Sequence, residues 1–147
     1  MLARDRRGRG AYSTLFWISF LTFCVVPMVA LAITAGRYFY ARGEMYKCAD
    51  AAALAAAQEV DVAHYIQTGE AIMSPSAYGM AQAYADMNSD YLARYKIHPY
   101  VTGISVDMAN RVVTVDMAGT TSELVPLIGP VTLYGHGTAE ARIEIRP

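Results

Sequence analysis

Residues 11–36 contain no Asp, Glu, Lys, Arg or His, and this uncharged run constrains the fold more than any other stretch. At about 26 residues it exceeds the about 20 that a helix needs to cross a bilayer core, so it can span with some tilt. Its polar members, Tyr12, Ser13, Thr14, Ser19, Thr22 and Thr34, are all uncharged. Serine and threonine return their hydroxyls to the helix's own backbone, so none of them forces the segment out of lipid. The segment reads as a membrane anchor, and whatever the chain does is tied to a membrane surface.

The flanks set the orientation. Arg4, Arg6, Arg7 and Arg9 precede the run, whereas Arg37, Arg42 and Lys47 follow it with Glu44 and Asp50 interspersed. The excess of Arg and Lys keeps the N-terminus cytoplasmic and predicts an exported C-terminal part. Ala30-Leu31-Ala32 imitates a signal-peptidase site, so a cleaved signal is the alternative to an uncut anchor. Against cleavage, the apolar run continues to Gly36 without a break. The remainder, about 110 residues, is the size of one small domain. With a net charge of -1 and the basic residues concentrated in the leader, the domain has no electrostatic footprint for nucleic acid. The two cysteines, Cys24 and Cys48, stand about 36 Å apart along a continuous helix, beyond disulfide reach. Cys24 reads as a packing residue, and Cys48 as either that or a bridge to a partner chain.

Residues 37–67 have no proline and one glycine, Gly43, and residues 49–58 are rich in Ala, so propensity carries the helix outward from the anchor to about Gln67. Pro27 removes a backbone bond inside it and predicts a kink. Arg37 and Arg42 snorkel toward headgroups, while Tyr38, Phe39 and Tyr40 form an aromatic collar. Beyond the collar, Met45, Ala49, Ala52, Ala56, Val60 and Ala63 recur every three or four residues, with Ala53 and Ala57 widening the stripe. Alanine lets another helix approach closely. That helix is either the domain's own second helix or one from a neighbouring subunit.

After a break at Thr68-Gly69, Ser74-Pro75 announces the second helix. Its expected buried face is Ala77, Met80, Tyr84, Met87, Tyr91 and Tyr95. This tyrosine-rich stripe reads as core, with a ligand platform as the alternative. Beyond His98-Pro99 the apolar period becomes two. Ile104, Val106 and Met108, then Val113, Val115 and Met117, flank a turn at Ala109-Asn110 and predict an antiparallel hairpin. Thr120 and Glu123 form a capping-box pattern before an apolar turn over residues 124–128. A last strand region covers residues 131–145, interrupted at Gly135-His136-Gly137, with Ala139, Ala141, Ile143 and Ile145 on one face. The fold class is α+β: a long transmembrane helix continuing into an exported domain, with a second amphipathic helix packed on a small antiparallel sheet of about three strands. The divisions are a basic leader (1–10), the transmembrane helix (11–36), its exported extension (37–67) and the exported domain (68–147).

Catalytic chemistry is not written in the chain. His64, His98 and His136 have no second His or Cys at zinc-ligand spacing and stand in no nucleophile motif. Asp107 and Asp116 read as solvated strand residues, and Gly135-His136-Gly137 is too short for a phosphate loop. The expectation is a non-enzyme with no catalytic, metal or cofactor residues and no small-molecule substrate.

A basic leader, one apolar helix, the Tyr40-Ala41-Arg42 exit and then Cys48-Ala49 with the block Asp50, Ala51, Ala52, Ala53, Leu54 and Ala55 to Ala57 resemble the TadE and TadG family of tight-adherence, Flp-type pilus assembly. The likeness covers about the first 60 residues. It implies a bitopic, pseudopilin-like protein of the bacterial inner membrane, some members being cut after a glycine by a prepilin peptidase. Here the cut would fall between Gly10 and Ala11. Leu15 stands where the family has a glutamate five residues after the cut, which leans toward a TadG-like protein that stays in the membrane. The expected function is a structural or assembly component of such a pilus, in contact with lipid and, through the helix stripe Ala49, Ala52, Ala53, Ala56 and Val60, with other subunits. The alternative is a signal-anchored ligand-binding or sensory module using the tyrosine face.

Overall fold

The computed structural model describes residues 6–70, 72–107, 110–124 and 129–141. They divide into two compact units, residues 1–37 and 38–147. The leader's first five residues, Met108-Ala109 of the expected hairpin, residues 125–128 of the expected apolar turn, and Ile143 and Ile145 lie outside the described residues.

The first unit is helical: α1 (Arg6–Phe20), a π-helical turn (Leu21–Val25) and the start of α2 (Val26–Gln58). The disturbance expected from Pro27 takes the form of that π turn. Proline's ring excludes the carbonyl four residues back, and a wider turn accommodates it. The Val26 N–H donates five residues back to the Leu21 carbonyl. Thr34 Oγ1 donates to the Ala30 carbonyl at 2.9 Å, returning its hydroxyl to the backbone as expected. Leu15, Phe16, Trp17, Phe23, Met28 and Leu31 are each between 58% and 79% exposed. The helix from Tyr12 to Gln58 has a segment of mean hydropathy 2.3 with none of it buried, long and apolar enough to cross a membrane.

The second unit contains the rest of α2, then α3 (Val62–Thr68), α4 (Ala77–Met87), α5 (Asp90–Ala93), β1 (Tyr100–Asp107), β2 (Val112–Thr121) and β3 (Val131–Glu140). α2 ends at Gln58, short of the expected Gln67. Val60 leaves the helix to bridge Met73, and Asp61 caps α3 by accepting from the His64 N–H at 2.9 Å.

The strands form one antiparallel sheet in the order β1-β2-β3. Asp107 closes the β1–β2 turn by accepting from the Asn110 backbone N–H at 3.2 Å and side-chain amide at 2.7 Å. A bulge between Val101 and Gly103 shifts the register. One face carries the rows Val101–Met117–Gly135, Ile104–Val115–Gly137 and Val106–Val113–Ala139. β3 runs unbroken through Gly135-His136-Gly137, contrary to the expected interruption. Those glycines are there for space: a Cβ on Gly135 would lie 2.6 Å from the Met45 carbonyl oxygen, and one on Gly137 would collide with the Ala49 backbone. Two positions without side chains let the α2 backbone rest directly on the strand.

The buried core joins Ala41, Met45, Cys48, Ala49, Ala52 and Ala56 of α2 to Ala81 and Ala85 of α4, with Leu92, Ile97, Met117 and Leu133 filling the remainder. Each fully buried Leu or Ile contributes about 1.5–3 kcal/mol. The expected face of α4 is corrected. Ala77, Ala81 and Ala85 are buried, whereas Met80, Tyr84 and Met87 are 38%, 37% and 72% exposed. The small residues lie inward because the α2 side of this core is itself lined by alanine, which favours close approach over bulk. The helix also stops at Met87, so Tyr91 belongs to α5. The capping box is corrected too: Thr120 Oγ1 bonds across the sheet to Thr132 at 3.1 Å, and it is Thr121 Oγ1 that accepts from the Glu123 N–H.

Candidate functional site

α2 carries the chain from the uncharged run into the second unit, so the residues just past Arg37 open the folded domain. Tyr38 packs against the core, while Phe39 and Tyr40 are 66% and 54% exposed. The Tyr40 ring meets Tyr91 edge-on at 4.5 Å, and Tyr91 meets Tyr95 at 5.4 Å. The Tyr91 and Tyr95 hydroxyls lie 3.4 Å apart. The expected collar is thereby joined by two tyrosines from α5 and the turn after it, which sequence spacing assigned to another helix face.

Cations stand on the same stretch of chain. The Arg42 guanidinium donates to the Tyr46 hydroxyl at 3.4 Å and lies 5.8 Å from that ring's centre, contacts that raise its already high pKa. Lys47 donates to Glu44 at 2.7 Å, which holds its ammonium above the ordinary lysine range, and sits 6.0 Å from the Tyr40 ring centre. Arg94 is exposed on the turn after α5.

The alanine stripe lies elsewhere. Ala49, Ala52, Ala53 and Ala56 are wholly buried and Val60 is half-buried. At Met45 and Ala49 the covering element is the chain's own β3, rather than the second helix or a neighbouring subunit. The physical reason is the glycine pair, which offers a flatter bed than any helix. In the block of residues 50–54, Ala52 and Ala53 are buried while Asp50 and Leu54 face outward. With Lys47 and Gln58 they form the exposed line of α2. Gly10 and Ala11 lie within α1.

Cys48 is fully buried, and its thiol donates to the Asn88 carbonyl at 3.2 Å. Burial, with the nearby Glu44 and Asp86 carboxylates, pushes its pKa up to about 11. A thiol so placed is shielded from a partner chain, which corrects the reading of Cys48 as an intermolecular bridge. Cys24 is exposed.

His136 is not isolated. The β2–β3 register sets it opposite Asp116, with Nδ1 2.7 Å from the carboxylate and both side chains more than half exposed. Only strand pairing reveals this contact, since the two are twenty residues apart. Asp107 and Asp116 are not brought together, Asp107 serving the turn instead. Among the described residues no group of three or more His, Cys, Asp or Glu could hold a metal ion. A surface depression of about 380 Å³ is lined by Lys96, Thr120, Thr121, Ser122, Glu123 and Pro130, with Lys96 paired to Glu123. Tyr84, Tyr91 and Tyr95 are not part of it.

The stretch that combines the uncharged run, the tyrosine exit and the alanine block is also the one that resembles a known family. Residues 10–59 match the family described as "Putative Flp pilus-assembly TadE/G-like". The match covers about a third of the chain and closes at Glu59, one residue past the end of α2. No curated protein and no solved structure matches the chain. The TadE/G-like segment supports a role related to pilus assembly, and the family is one of assembly components rather than a known enzyme family. The sheet domain lies outside the match.

Proposed function

We propose that the protein is a membrane-anchored structural or assembly component, minor-pilin-like, of a bacterial Flp/Tad-type pilus. The observation that carries this reading is the TadE/G-like match over residues 10–59. It is supported by the apolar surface of the first unit, which lipid covers at no cost and water does not. The arginine excess before the anchor supports a single-pass orientation with the N-terminus in the cytoplasm and the domain of residues 68–147 outside the inner membrane. Since the alanine stripe is occupied within the domain, contact with other pilus subunits uses the exposed line through Lys47, Asp50, Leu54 and Gln58.

The test is photo-crosslinking from a reactive group at Leu54 or Asp50 of the full chain, in membranes holding the complete pilus machinery. Adducts with other pilus components are expected. A chain that stays strictly monomeric there refutes the proposal, as does protease protection that places the domain in the cytosol. Intact mass of the membrane-extracted protein decides processing at Gly10-Ala11, where Leu15 replaces the family's glutamate and favours the uncut form.

A further inference from the structure

We propose that the outer edge of β3 is a strand-addition site, which takes an extended segment of a different pilus component as a fourth strand of the sheet. The inference rests on the pilus-component reading above and adds a contact made by the sheet domain itself.

β3 is ten residues long and pairs along one side only, because the sheet order is β1-β2-β3. In an antiparallel pair, residues that exchange both backbone bonds with the neighbour alternate with residues whose N–H and C=O point away from it. The Ala141 N–H donates to the Arg111 carbonyl at 2.8 Å. That bond fixes the phase of the ladder, since the register continues unbroken from Glu140 opposite Val112 to Val131 opposite Thr121. Odd-numbered residues of β3 therefore bond to β2, and the N–H and C=O of Thr132, Tyr134, His136, Thr138 and Glu140 point to the free edge. Among the described residues no other backbone group pairs with them.

The two edges of the sheet are built differently. β1 carries the bulge between Val101 and Gly103, and at its start Gln82 of α4 accepts from the Val101 N–H and donates to the Pro99 carbonyl, both at 2.9 Å. Bulges and covering elements close a sheet edge to other strands. β3 has no bulge, no proline and no lysine, and its one carboxylate, Glu140, stands at its end.

Such an edge specifies its occupant. Its donors and acceptors repeat every second residue, about 7 Å apart, and another extended backbone offers complementary groups at the same spacing. A second copy of this chain does not fit. A Cβ on Gly135 would meet the Met45 backbone and one on Gly137 the Ala49 backbone, so α2 runs along β3. Antiparallel pairing of two β3 strands would set two α2 helices about 5 Å apart on one face, where packed helices need about 8–10 Å. The occupant is thus a segment of another protein with no helix lying on the paired strand. Its outer-face side chains would neighbour Tyr134, 68% exposed, and His136, which suits polar and aromatic cross-strand pairs.

The test places a photoreactive residue at Tyr134 of the full chain, in membranes holding the complete pilus machinery. An adduct with another component is expected. Thr138→Pro in that chain removes an edge-facing N–H without breaking a bond to β2, and should lower the adduct yield about tenfold relative to Thr138→Ala. Equal yields from the two variants overturn the inference, as do adducts joining two copies of this chain. Hydrogen exchange of the unmodified chain in micelles gives a check that needs no substitution: the Tyr134, His136 and Thr138 amides should exchange fast and those of Gly135 and Gly137 slowly. Equal protection of both sets also overturns it. No adduct from Tyr134 while Leu54 still gives one overturns this inference alone, whereas adducts from neither position overturn the pilus-component reading.

Discussion

Gly135→Ala tests the seating of α2 on the sheet most directly. Among the described residues, glycine φ is positive only at Gly69 and Gly129, so Gly135 is needed for its missing Cβ rather than for an unusual backbone. The added Cβ would meet the Met45 carbonyl oxygen at 2.6 Å and the Met45 Cγ at 2.8 Å, where ordinary contact begins at 3.4 Å. The helix must lift by about 0.8 Å, and a backbone carbonyl cannot yield by changing rotamer. Overpacking costs about 1–3 kcal/mol, and a backbone wall places this case near the top of that range. Restricting the unfolded chain returns about 0.4–1 kcal/mol, leaving a net loss of about 2 kcal/mol. With a urea dependence of about 1–3 kcal/mol per molar, the midpoint falls by about 1 M.

The assay is urea unfolding of the full chain in detergent micelles, followed by tyrosine near-ultraviolet circular dichroism. Gly137→Ala, which collides with the Ala49 backbone, should cost at least as much. Gly119→Ala should cost less, because its nearest neighbours at 2.8 and 2.9 Å are the side-chain ends of Ile97 and Met45. Gly103→Ala is the control, having only the Asp116 carboxylate at 4.0 Å. Equal midpoints for Gly135→Ala and Gly103→Ala would refute the account of why this strand carries glycine.

Three further outcomes use the same titration. The Cys48 thiol is raised from 9.0 to about 11. Below pH 9 both folded and unfolded chains hold the proton, but between pH 9 and 11 the unfolded chain releases it first, so stability falls as pH rises through that window; the difference between wild type and Cys48→Ser should show this fall. Gln82 accepts from the Val101 N–H and donates to the Pro99 carbonyl, both at 2.9 Å, tying α4 to the start of β1. Gln82→Ala should therefore cost about 1–3 kcal/mol, and an unchanged midpoint would mean water replaces both bonds. Gly43 is a helix-interior residue whose Cβ would meet nothing within 4 Å, so Gly43→Ala should raise stability by about 0.5–1 kcal/mol; a loss would reveal that the open space is occupied.

Much of the architecture was legible locally. The uncharged run, the alanine-rich continuation and the period-two segments around Val106 and Val115 each depend on neighbours within a few residues, and each formed the expected type of element, although the helix ends at Gln58 and not at Gln67. The candidate surfaces were harder to read. Periodicity put Tyr84 and Met87 inward, yet the neighbouring alanine face is buried, because what decides the inward side of α4 is the alanine lining of the opposing core. Tyr91 and Tyr95 were assigned to that same helix, whereas the break after Met87 sends them to Tyr40.

The sequence by itself determined that a helix able to enter lipid leads into an α+β domain, since charge, propensity and hydropathy act along the chain. Only the tertiary structure decided that Gly135 and Gly137 make a bed for α2, that Cys48 is sealed under Asn88, and that His136 faces Asp116. Those outcomes depend on which surfaces far apart in the chain exclude water together, and the spacing of residues along one strand or helix does not encode its partner.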